Sequence, residues 1–120
     1  MTLRPDAGEL LDVARQHLLD ELLPALPPHL RYQTLMIANA MAISSREYRN
    51  GGAAQTEEIT LLNDQSGQAF VTPEEARQFL ASAIRTGEYD AHDAKRQRLA
   101  DALRRMTLSQ LSISNPKVLP

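Results

Sequence analysis

The chain has 120 residues, 42% hydrophobic and 23% charged, with a formal net charge of −2, which is the profile of one globular domain and excludes a disordered segment. The weak negative charge excludes bulk attraction to nucleic acid or anionic lipid, and the lack of cysteine excludes disulfides, thiolate metal sites and a cysteine nucleophile. The opening MTLRPDAGE has no apolar signal segment, and no apolar run reaches membrane-spanning length. The expectation is a soluble, cytoplasmic, single domain over residues 1–120. With 4% aromatic residues and no Trp, its core must come from Leu, Ala, Ile and Met, which suit helix interfaces.

A first helix is predicted from near Pro5 and Asp6, with Asp6 as cap and Glu9 three residues on. Leu10, Leu11, Ala14, Leu18 and Leu22 form its apolar stripe, His17 lies at the stripe's edge, and Asp12, Arg15, Gln16 and Asp20 face away. Pro24 stops it around Leu23, and Pro24 to His29 forms a rigid connector. Helix two follows in LRYQTLMIANAMAISSREYRN, Leu30 to Asn50, apolar from Leu35 to Ile43 except at Asn39. A helix apolar on all sides is expected to be buried, and Gly51-Gly52 is expected to end it.

A short third helix is predicted over Ala54 to Asn63, with Ile59 and Leu62 inward, and a loop from Asp64 to Phe70. Thr72-Pro73-Glu74-Glu75 combines a capping Thr with Pro at the first helical position, the strongest start signal in the chain. Ala76, Phe79, Leu80, Ala83 and Ile84 should point inward from helix four, which closes at Gly87. A final helix runs from Asp90 and Asp93 to about Ser112, with Leu99, Leu103, Met106 and Ile113 as its stripe, and Asn115-Pro116 ends it. The fold expected is all-α, a compact bundle of about five helices around a central buried second helix.

Candidate binding residues cluster on helix two. A buried Asn39 requires a partner: an interhelical hydrogen bond, or self-pairing that sets dimer register as a single core Asn does in coiled coils. Arg31, Gln33, Arg46, Glu47 and Arg49 form polar sets at the helix ends, where Arg31 is suited to recognise a carboxylate or phosphate. His17, His29 and His92 are scattered without a metal-binding signature, although His17 stands near Asp20 and Glu21. There is no phosphate-binding glycine loop, and Ser44 and Ser45 lack a paired His. Neither a metal nor a cofactor is called for, and no catalytic residue is assigned. Lys95, Arg96, Arg98, Arg104 and Arg105, behind the turn Thr86 to Glu88, sketch a helix-turn-helix, but the charges spread around the helix among Asp90, Asp93 and Asp101.

The segments RPDAGELLDVARQHLLDELLPALPPHLRYQTLMIANAMAISSREYRNG and LSQLSISNPK, above all Leu22 to Pro24, Arg31-Tyr32, Ala38-Asn39-Ala40, Glu47 and Asn115-Pro116, resemble an uncharacterised bacterial family of short proteins, a domain of unknown function. Its members are often encoded beside aminoglycoside-kinase-like phosphotransferases and acyl-CoA dehydrogenases. The resemblance implies a non-enzymatic accessory or interaction protein, a partner of such an enzyme, and it carries no catalytic residues. The expectation is therefore a homo-oligomeric interaction module with Arg31, Asn39, Arg46 and Glu47 as binding residues. The alternatives are a small DNA-binding regulator led by the basic C-terminal helix, and a ligand-binding or enzymatic pocket near Arg31 and Glu47.

Overall fold

The computed structural model describes residues 3–91 and 93–120. The protein is all-α: its α-helices are α1 (Ala7–His17), α2 (Arg31–Ser66), α3 (Pro73–Arg85) and α4 (Asp93–Ser114), and the described residues contain no strand. No helix among them is long and apolar enough to cross a membrane. The helices fall into two compact units. One runs to Gly51 and adds Ile113–Asn115; the other holds Gly52–Ser112 and Pro116–Pro120.

The first unit begins with the expected cap, the Glu9 amide donating to Asp6 Oδ1 at 2.8 Å. α1 passes at His17 into one π-helical turn (Leu18–Leu22), so the helical run ends close to the expected Leu23, where a 3-10 turn (Leu23–Ala25) takes up Pro24. The α1 stripe is corrected. Leu10, Ala14 and Leu22 are exposed while Gly8 is buried and Leu11 and Leu18 are half-buried. The rotation is set by polar contacts. Arg15 Nε donates to the Ala38 carbonyl at 3.1 Å, and Ser45 Oγ donates to Asp12 Oδ1 at 2.8 Å. Arg49 Nη2 donates to Asp12 Oδ2 at 2.7 Å. Both Asp12 and Arg15 therefore reach α2, although Asp12 stays exposed. A Cβ on Gly8 would lie 3.2 Å from Tyr48 Cδ1, so the bare glycine is what lets α1 approach this closely.

These contacts select which side of α2 is buried. Thr34, Ala38 and Ser45, small residues at helical spacing, are buried, and Ala42 between them is half-buried. The apolar middle of α2 is not: Leu35 is 43% exposed, Met36 50% and Ile37 52%, and Asn39 is exposed, whereas Met41 and Ile43 are half-buried. The expectation of a buried second helix is overturned, because α1 needs only one narrow face of small residues.

The expected break at Gly51-Gly52 is also absent, so helices two and three are one helix of 36 residues and the α-helix count is four rather than five. Neither glycine takes positive φ. No proline follows, and Ala53-Ala54-Gln55 offers no cap for a new start. Termination comes at Gly67, with φ of 69°, whose amide reaches the Asn63 carbonyl at 2.9 Å.

The second unit holds the main apolar cluster: Leu62 from α2, Ala76, Leu80 and Ala83 from α3, Tyr89, and Leu99 from α4, with Phe70 and Met106 against it. Asn63 braces the loop after α2, its Nδ2 donating to the Phe70 carbonyl at 3.1 Å and its Oδ1 accepting from the Phe70 amide at 3.0 Å. Thr72 Oγ1 caps α3 by accepting from the Glu75 amide at 3.3 Å, as the sequence predicts. Phe79 and Ile84 are more exposed than expected, and so is Leu103. Gly87, with φ of 86°, closes α3 while the Glu88 amide reaches the Ala83 carbonyl at 3.1 Å. α4 starts at Asp93 and ends at Ser114, and Pro116 opens a final 3-10 turn, Pro116–Val118.

Candidate functional site

The residues singled out from sequence share α2 but form no common pocket. Arg31 and Glu47 stand sixteen positions apart, about 24 Å along the axis at 1.5 Å per residue, and both are exposed. A single small-molecule site between them is ruled out by that length. Arg46 has a structural partner: its Nε donates to the Ile113 carbonyl at 2.7 Å, answering one of the carbonyls that the C-terminal end of α4 leaves without a helical bond. Asn39 is not enclosed by apolar side chains. It sits on the open side of the helix, amid the exposed apolar residues.

That open side has regular geometry. Residues four apart form continuous ridges on a helix. The ridge Thr34–Ala38–Ala42 is turned towards α1, while Arg31–Leu35–Asn39–Ile43–Glu47 and Tyr32–Met36–Ala40–Ser44–Tyr48 form the rest of the surface, with Ile43 half-buried and Tyr48 beside Gly8 of α1. Tyr32, at 73%, and Tyr48, at 53%, are the large side chains at its ends. The result is a surface of about five helical turns whose middle is apolar and whose ends are charged.

Sequence reasoning missed a second feature, in the other unit. Ala54, Glu57 and Glu58 of α2, Arg77 of α3, and Leu103, Met106 and Leu111 of α4 line a mostly apolar cleft of about 430 Å³. The Glu58 carboxylate is 8% exposed and is bridged by Arg77 Nε at 2.5 Å. This hydrogen bond holds the Arg77 guanidinium in its charged form more firmly than usual, against partial desolvation. The signal was present in the series Ala54–Glu58–Leu62, where a carboxylate takes the central place between two buried apolar residues at fourfold spacing. Glu57 pairs instead with Arg105 at 3.7 Å.

His17 lines a shallow surface depression with Val13, Gln16, Asp20 and Glu21, and Gln16 hydrogen-bonds Asp20 there. His92 lies outside the described residues. Among the described residues no three His, Asp or Glu side chains gather as a metal site requires. On α4, Lys95 lies 4.6 Å from the Tyr89 ring centroid, and Arg96 and Arg105 make contacts within their own unit, to Asp93 at 4.0 Å and to Glu57 at 3.7 Å. Arg98 and Arg104 are exposed.

Fold and surface together define an all-α protein whose most distinctive feature is an exposed apolar helix face. Residues 24–118 match the family described as Domain of unknown function (DUF6285), and the chain belongs to that family. No curated protein and no solved structure matches the chain.

Proposed function

We propose that this is a cytoplasmic, non-enzymatic interaction protein, and that the outer face of α2 between Arg31 and Tyr48 is its contact surface. One observation carries this: Tyr32, Leu35, Met36 and Ile37 are 43–73% exposed on consecutive turns of a well-formed helix. Burying a side chain of this size contributes roughly 1.5–3 kcal/mol, and contiguous apolar surface rimmed by polar groups marks a protein contact. In this proposal Arg31, Asn39 and Glu47 are binding residues that touch a partner, while Arg46 supports the helix through Ile113.

The partners proposed are further copies of the chain and an enzyme of the phosphotransferase or acyl-CoA dehydrogenase type. Purification from the source host at low salt, with wild type and Met36→Glu in parallel, tests this. Wild type is expected to carry such partners, and Met36→Glu to lose them while keeping its helical circular dichroism. Identical recovery with both proteins contradicts the assignment of the face.

A further inference from the structure

The two outer ridges of α2 differ from an ordinary sticky patch in one respect: the first is self-complementary on reversal. Arg31, Leu35, Asn39, Ile43 and Glu47 follow one another at intervals of four, with Asn39 in the middle. Turned end for end about Asn39, Arg31 meets Glu47, Leu35 meets Ile43, and Asn39 meets Asn39. We propose that the occupant of this face is a second copy of the same chain, crossing α2 against α2 in antiparallel orientation with the two-fold axis at Asn39.

Packing geometry supports this pairing. A two-fold axis at Asn39 lays this ridge along the same ridge of the other copy, and because fourfold rows are inclined by about −26° to the helix axis, the two rows run parallel when the axes cross at about −50°. Arg31 of one copy is thereby brought to Glu47 of the other at both ends of the contact. A parallel arrangement instead sets Arg31 against Arg31 and Glu47 against Glu47. The neighbouring ridge is compatible with close approach, since Ala40 beside Asn39 is small, and Tyr32 and Met36 are placed to cover the flank of the contact.

The area is adequate. Tyr32, Leu35 and Met36 together expose on the order of 300 Å² per copy, more than a third of what each partner gives to a standard interface, before Arg31, Asn39, Ala40, Ile43 and Glu47 are counted. A two-fold contact uses the same patch on both sides, which is the commonest way for a chain to self-associate. At its centre, Asn39 from each copy can donate and accept an amide hydrogen bond, the arrangement by which a polar residue in an apolar seam selects one register.

This inference rests on the assignment of the α2 face as a contact surface, and charge reversal separates the two. Self-association is measured by sedimentation equilibrium for wild type, Arg31→Glu, Glu47→Arg and the double variant. Each single reversal creates like-charge pairs at both ends and is expected to raise the dimer Kd by about tenfold or more, while the double variant returns it close to the wild-type value. These residues are exposed, so circular dichroism should be unchanged throughout. As a second readout Asn39→Cys, which places the only thiol in the chain, should oxidise readily to a disulfide-linked dimer. A dimer abolished by Met36→Glu but indifferent to both single reversals, or not restored in the double variant, overturns the antiparallel register and leaves the contact surface standing. A monomer that also yields no Asn39→Cys disulfide overturns the self-pairing outright.

Discussion

Asp12 and Glu58 show how little a carboxylate's chemistry can be judged from its place in a helical pattern. Asp12 is exposed, yet it binds two residues of α2, Ser45 and Arg49, and the hydrogen bond from Arg49 followed by that from Ser45 pulls its carboxyl below the ordinary carboxylate range. A depressed folded pKa contributes stability that is present above the unfolded value, about 3.9, and is lost as pH falls through the lower, folded value. Asp12→Asn is therefore expected to lower the urea midpoint at pH 7, with the difference from wild type shrinking towards pH 2. An undiminished difference at low pH is the opposing result. Glu58 has the reverse setting, a nearly enclosed carboxylate with one bridging guanidinium. Arg77→Ala strands it and should cost about 2 kcal/mol, discounted from the loss for a fully buried pair because Arg77 is half exposed. Replacing both residues by Leu should recover most of that loss, as read from urea denaturation.

At the scale of elements, α3 was legible almost to the residue because its start is written in short-range chemistry: Thr72 as cap, Pro73 behind it and acidic residues in the first turn. The end of α4 at Asn115-Pro116 was legible for the same reason. The course of α2 was not, since a glycine pair only permits a turn and needs a partner signal to force one. The two kinds of glycine can be told apart by substitution. Gly52 has helical geometry and open space around its Cβ position, so Gly52→Ala should stabilise the protein by about 1 kcal/mol. Gly67 has φ of 69°, and alanine there should destabilise by about 1–2 kcal/mol. Thermal unfolding of the two variants reads both signs. Opposite signs from those expected would place a break at Gly52 and return the chain to five helices.

The largest departure from sequence expectation has a cause on the same scale. An apolar run such as Leu35 to Ile43 says that a surface will be covered, and it does not say by what. In the first unit α1 takes only the Thr34–Ala38–Ser45 side, through a glycine, two ion-supported contacts and a serine. Periodicity alone could not favour that side, because its residues are smaller and less hydrophobic than the neighbouring Leu35, Met36 and Ile37. Arg31, Asn39 and Glu47 were legible as residues of interest, but their arrangement as one reversible ridge depends on knowing that this face is left open.

For the whole molecule, a net charge of −2 gives little repulsion to oppose association of two copies, and the apolar face supplies the attraction. In the antiparallel pair the two Arg31–Glu47 contacts lie at the rim and orient the copies, while Leu35, Met36 and Ile43 provide most of the binding free energy. The interaction protein proposed here is then a dimer first, and any enzyme partner meets a surface made by two chains. The most direct measurement is light scattering over a concentration series for wild type and Met36→Glu. The wild-type mass should rise to twice the 13.4 kDa of one chain, with Met36→Glu remaining at the single-chain mass while keeping its helical signal. A wild-type protein that stays at 13.4 kDa up to the highest concentrations, or a Met36→Glu variant that pairs as well as wild type, contradicts α2 as the contact surface between copies.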